Sequence, residues 1–134
     1  MTASPFDQLL YELEGEWAVR GDAATSRLDA LLTEARKLSP FGRMKAQALV
    51  TKRRHEAAAD VEVRQGIHAE LLAKAATWDQ RAAEAPPEFA EQARERAAQI
   101  RSEAASIAEE IVEYEAAVRQ FDEIYLLLER AGQP

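Results

Sequence analysis

The chain has 134 residues, with 24 acidic and 17 basic side chains, a net charge of −7 and no cysteine. That length allows about one domain with a core of its own, and the missing cysteines exclude a disulfide framework, a thiolate metal site and a cysteine nucleophile. Only five Gly and five Pro occur in a chain rich in Ala, which points to the all-α class. No stretch approaches the ~18 apolar residues of a membrane span, and the start MTASPFDQLL lacks a basic region and an unbroken apolar core. A soluble, cytoplasmic protein is therefore expected.

Ser4 followed by Pro5 reads as a helix start, because a side-chain oxygen caps the first free amides and proline at the first position loses nothing. Phe6, Leu9, Leu10, Leu13 and Trp17 fall on one face, giving a first helix over about 5–20 that Gly15 weakens. Gly21 and Asp22 close it and open a second helix over about 23–38, with Leu28, Leu31, Leu32, Ala35 and Leu38 at helical spacing. Ser39-Pro40 repeats the first cap signal and starts a third helix over 40–84, interrupted only by Gly66. Pro86-Pro87 ends it, and a fourth helix runs over 87–131. A tight corner between two long helices makes them antiparallel neighbours.

Helix four carries the clearest pattern. Ala97, Ile100, Ala104, Ile107, Ile111, Tyr114, Val118, Phe121, Tyr125 and Leu128 alternate steps of three and four, an a/d seam that must lie against another helix. From Ile111 onward Val112, Ala117, Ile124, Leu126 and Leu127 widen it beyond what one partner can cover. The expected fold is one elongated helical domain over 1–134: a long antiparallel, coiled-coil-like helical hairpin, with the two short N-terminal helices packed at its open end to form a four-helix head.

Helix three is less regular. Its stripe of Val50, Ala57, Val61, Ile67, Leu71, Ala75 and Trp78 also contains Arg53, Arg64 and His68. With a corner near residue 85, Arg64 comes near Glu103, Glu109 and Glu110, so the polar members read as contacts that fix the pairing register. A proton switch at His68 is the alternative. Gly66 falls opposite Ala104 and reads as a close helix contact in preference to a bend.

Charge is unevenly spread. From Ala35 to His55 there is no acid, while Arg36, Lys37, Arg43, Lys45, Lys52, Arg53 and Arg54 supply seven positive charges, and the rest of the chain holds all 24 acids against 10 bases. Clustered bases suit a nucleic acid or an anionic membrane. In the same register, however, Glu115, Asp122, Glu123 and Glu129 flank the facing segment, so partial neutralisation by interhelical ion pairs is expected.

Catalytic chemistry has little support: no triad setting, no glycine-rich phosphate loop and no histidine pair at ligand spacing. Glu109, Glu110 and Glu113 are a weak candidate metal cluster, with Asp60 and Glu62 brought near by the hairpin. Glu109-Glu110-x-x-Glu113 is similar to half of the motif of the helical nucleotide pyrophosphohydrolases, a resemblance that would imply a metal-dependent hydrolase, but the Glu-x-x-Asp half is absent. A solvated acidic face, with no cofactor and no small-molecule substrate, is the expectation. The leading functional expectation is a non-catalytic scaffold or adaptor that forms a homo-oligomer or binds a helical protein partner. Leu72, Trp78, Phe89 and Ile100 are the candidate self-association residues, as apolar flanks that two helices leave poorly covered. Association with nucleic acid or an anionic membrane through 36–54 is the alternative, and the metal-dependent hydrolase comes third.

Overall fold

The structure, a computed structural model, describes the backbone of residues 4–14 and 22–133 and the side chains of 4–12 and 27–133. Four helices account for nearly all of it: α1 (Pro5–Glu14), α2 (Asp22–Arg36), α3 (Pro40–Glu84) and α4 (Pro87–Ala131), with no strand among the described residues. The proposed continuation of the first helix to about residue 20, with Gly15 and Trp17, lies outside the described residues, as does the Leu13 side chain.

The helix starts follow from local chemistry. Ser4 Oγ accepts a hydrogen bond from the Asp7 amide at 3.2 Å, and Ser39 Oγ accepts one from the Gly42 amide at 3.0 Å. Each serine thus satisfies a backbone donor that the first helical turn leaves without a partner. A Cβ on Gly42 would stand 3.2 Å from that same hydroxyl, so the glycine leaves room for the cap. At the corner the Pro86 carbonyl accepts from the Phe89 and Ala90 amides at 3.0 and 2.9 Å, and Pro87 takes the first helical position. Helix α2 ends through tight turns in which the Lys37 and Leu38 amides donate to the Glu34 and Ala35 carbonyls.

α3 and α4 pack together as a helical hairpin, and the chain divides into two compact units, Met1–Ala58 with Glu113–Pro134, and Ala59–Val112. The first unit has a core of large side chains drawn from all four helices: Phe6 and Leu10 of α1, Leu31 of α2, Val50 of α3, and Phe121, Ile124 and Leu128 of α4. Burying a side chain of this size removes enough apolar surface from water to stabilise by about 1.5–3 kcal/mol. The second unit has a different interior. Its buried residues are Ala75, Ala82, Ala90, Ala93, Ala97, Ile100 and Ala104, so small side chains let α3 and α4 approach closely and close a thin seam.

The buried face of α3 within that seam differs from the expected stripe. Val61, Arg64, His68, Leu71, Ala75, Trp78 and Ala82, alternating steps of three and four, are half-buried or buried, whereas Ile67 is exposed. A strict heptad spacing selects His68 for the seam and leaves its apolar neighbour on the flank. In α4 the spacing holds as far as Phe121, and Leu128 is buried as well; between them Tyr125 is exposed while Ile124 and Leu127 are buried, because a straight helix drifts away from a 3.5-residue repeat once several helices surround it. Val112 and Leu126, read as part of the widened core face, are exposed. Gly66 corrects a further expectation: a Cβ there would meet nothing within 4 Å, so it is not a close helix contact, and α3 runs through it unbroken.

Candidate functional site

The seven bases of 36–54 are held in different ways. Arg43 turns inward to donate from Nη1 to the Leu38 carbonyl at 2.7 Å, and its guanidinium also lies beside Gly132. It thereby satisfies a carbonyl just past the end of α2 and places its charge beside the C-terminal end of α4, a structural use of a cation at helix C-termini. Lys37 pairs with Glu34 at 3.1 Å, and Arg54 Nε donates to Asp122 Oδ1 at 2.5 Å, one of the four acids that flank the facing segment. Arg53 is half-buried and also has an interaction partner. Three bases are left on the outside without an ion pair among the described residues: Arg36, Lys45 and Lys52, of which Lys45 lies over the Phe41 ring at 5.4 Å. Neutralisation is therefore partial, and it sorts the segment into an inner and an outer set.

Lys45 and Lys52 of the outer set belong to a continuous ridge. Phe41, Met44, Lys45, Ala48, Thr51, Lys52 and His55 are all exposed and recur at helical spacing on the side of α3 turned away from Val50. Phe41 and Met44, 63% and 58% exposed, were not singled out as functional residues from sequence, where they read as parts of a helix start. Their signal was the placement of large apolar residues between bases on the face opposite the core positions.

In the second unit the four self-association candidates divide. Leu72 and Phe89 are open to solvent, 45% and 60% exposed. Ile100 corrects the expectation: at 2% exposure it is part of the interior, because alanines around it bring the facing helix close enough to cover it. Trp78 is half-buried, packs on the cluster of Ala82, Ala90 and Ala93, and carries the Arg81 guanidinium 4.8 Å over its ring. Val63, Ile67 and Val112 are exposed instead, with Val63 and Ile67 one turn apart on one flank of α3.

Polar pairs cross this unit. Arg64 occupies a seam position and donates to Glu110 and Asp60, each at 3.2 Å, so its charge is spent between two carboxylates. Arg101 pairs with Asp79, and that hydrogen bond and charge hold the guanidinium above its ordinary pKa. No group of three or more metal-ligating side chains that could hold a metal is assembled among the described residues. Of the weak candidate cluster Glu109, Glu110 and Glu113, Glu110 is engaged by Arg64, while Glu109 and Glu113 are exposed.

Two open grooves cut the first unit, one walled by Leu28, Leu32, Leu126 and Leu127 and one running past Ser4, Asp7, Leu38 and Lys45. Neither gathers a nucleophile with a base. No described helix is long and apolar enough to cross a membrane. No protein-family model, curated protein or solved structure matches the chain.

Proposed function

We propose that the protein is a non-catalytic helical scaffold that associates with a second copy of itself through the unit formed by residues 59–112. The supporting observation is the set of exposed large apolar side chains, Val63, Ile67, Leu72, Phe89 and Val112, on a unit whose own interior is an alanine seam. Among the described residues no further element covers these flanks, and association removes them from water. The surrounding charges favour an identical partner. Lys74, Arg81, Arg94 and Arg96 are exposed among Glu70, Glu84, Glu88, Glu91 and Glu95, a mixed-sign surface that a copy can meet without the repulsion a single-sign surface would bring.

The test is sedimentation equilibrium over a wide concentration range, with the wild type beside an I67S/L72S/F89S variant. The mass is expected to rise with concentration for the wild type and to stay at that of one chain for the variant, with unchanged helical circular dichroism. A wild type that remains monomeric throughout removes the self-association reading.

A second reading is supported by the outer ridge of α3: the bases of 36–54 not engaged inside the fold meet a polyanion, either a nucleic acid or an anionic membrane.

A further inference from the structure

The ridge from Phe41 to His55 combines two properties seldom found together on a soluble helix face. It holds no acid, and its N-terminal end exposes two large apolar side chains that the core does not use. We propose that this ridge is a docking face for an anionic lipid bilayer, with Phe41 and Met44 entering the boundary of the acyl chains and Lys45 and Lys52 meeting the headgroup phosphates. The proposal rests on the polyanion reading above and names its partner.

Three observations favour a bilayer over a nucleic acid. First, a phosphate backbone satisfies the lysines but leaves Met44 in water, whereas the acyl boundary takes up both apolar side chains. Second, the surface is the convex outer side of a helix. Strand-binding proteins use a charged groove with several stacking aromatics, and the ridge offers only the Phe41 ring and, at its far end, the His55 imidazole. Third, the exposed positions from Phe41 to His55 span roughly 20 Å along the axis at 1.5 Å per residue, so the lysines and the apolar pair can meet one flat surface together.

The charge balance is compatible with this. Glu34 is occupied by Lys37, and Asp122 by Arg54. Asp7 lines the groove that Lys45 also borders, and Glu56 follows Lys52 by four residues, so these two carboxylates mark the edges of the face. Lys45 and Lys52 lie on the face without an ion pair among the described residues, and the ammonium of Lys45 over the Phe41 ring ties a cation to the inserting residue.

Vesicle co-sedimentation tests the proposal, with mixed phosphatidylserine and phosphatidylcholine vesicles beside pure phosphatidylcholine, and labelled duplex and single-stranded oligonucleotides in the same buffer. The full chain is expected to sediment with the anionic vesicles and not with the neutral ones. A base near an anionic surface is worth about fivefold in partitioning, so K45Q/K52Q should weaken binding on the order of 25-fold. F41S/M44S should weaken it by at least tenfold with the helical signal intact, since both side chains are exposed. Absence of binding to anionic vesicles, or binding unchanged in F41S/M44S, overturns the lipid proposal. Oligonucleotide binding without vesicle binding overturns it while preserving the polyanion reading, and loss of both arms removes that reading as well.

Discussion

In the first unit Phe6, Leu10, Leu31, Val50, Phe121, Ile124 and Leu128 fill the space between four helices, whereas in the second Ala75, Ala82, Ala93, Ala97 and Ala104 close the seam between two. Both units draw on α3 and α4, so the difference lies in side-chain size and not in helix type. Large side chains hold helices apart and create a surface that more helices must cover, which α1 and α2 do. Alanine lets two helices close on each other without outside help. It also contributes little burial energy, about 0.8 kcal/mol per methylene-sized group, and leaves the flanks open. The first unit gathers its large apolar side chains into one core. The second is organised to be narrow, and it leaves Leu72 and Phe89 exposed on the flanks where self-association is proposed.

Substitutions that exchange these strategies should break the contrast. The largest effect is expected at Phe121: F121A leaves a cavity among four helices and should cost about 3–5 kcal/mol in denaturant unfolding. The opposite change in the other unit comes next. A97L pushes a large side chain into a seam with no room and should cost about 1–3 kcal/mol. If A97L were neutral or stabilising, the helices would not be closely packed there. Smaller, and of opposite sign, is G66A: with nothing within 4 Å of the added methyl group, the gain in helix propensity should stabilise by about 1 kcal/mol and raise the melting temperature. The smallest effect belongs to the exposed pair of Arg54 and Asp122. A double-mutant cycle should return a coupling below about 1 kcal/mol that shrinks with added salt.

Much of the fold was legible because its signals are local. Ser4-Pro5, Ser39-Pro40 and Pro86-Pro87 announce their helix boundaries through capping chemistry that needs no tertiary context, and the spacing from Ala97 to Val118 shows a seam facing one partner. The engagement of Arg64 by Glu110 followed from the corner position, whereas for Arg54 that position gave only a facing segment flanked by acids, of which Asp122 is the one it meets. What escaped depends on distances between helices. Ile100 reads as an open flank until the alanines around it are known to draw α3 in, and Ile67 reads as core until the heptad count passes to His68. Gly66 could be assigned a close contact from its position opposite Ala104, although its own direction is outward. For the candidate surfaces, sequence identified the bases but not the sorting among them. Arg43 is spent on helix ends while Lys45 and Lys52 stay outside, a distinction set by where each falls around α3 relative to Val50.

The central claim, that the open flanks of the second unit are covered by another copy of the chain, is tested most directly by the sedimentation-equilibrium mass as a function of concentration. The account predicts a mass that rises to a multiple of the 14.9 kDa chain, and that returns to the single-chain value when Ile67, Leu72 and Phe89 are replaced by serine. A mass fixed at one chain at every concentration, for a fully helical wild type, would contradict it.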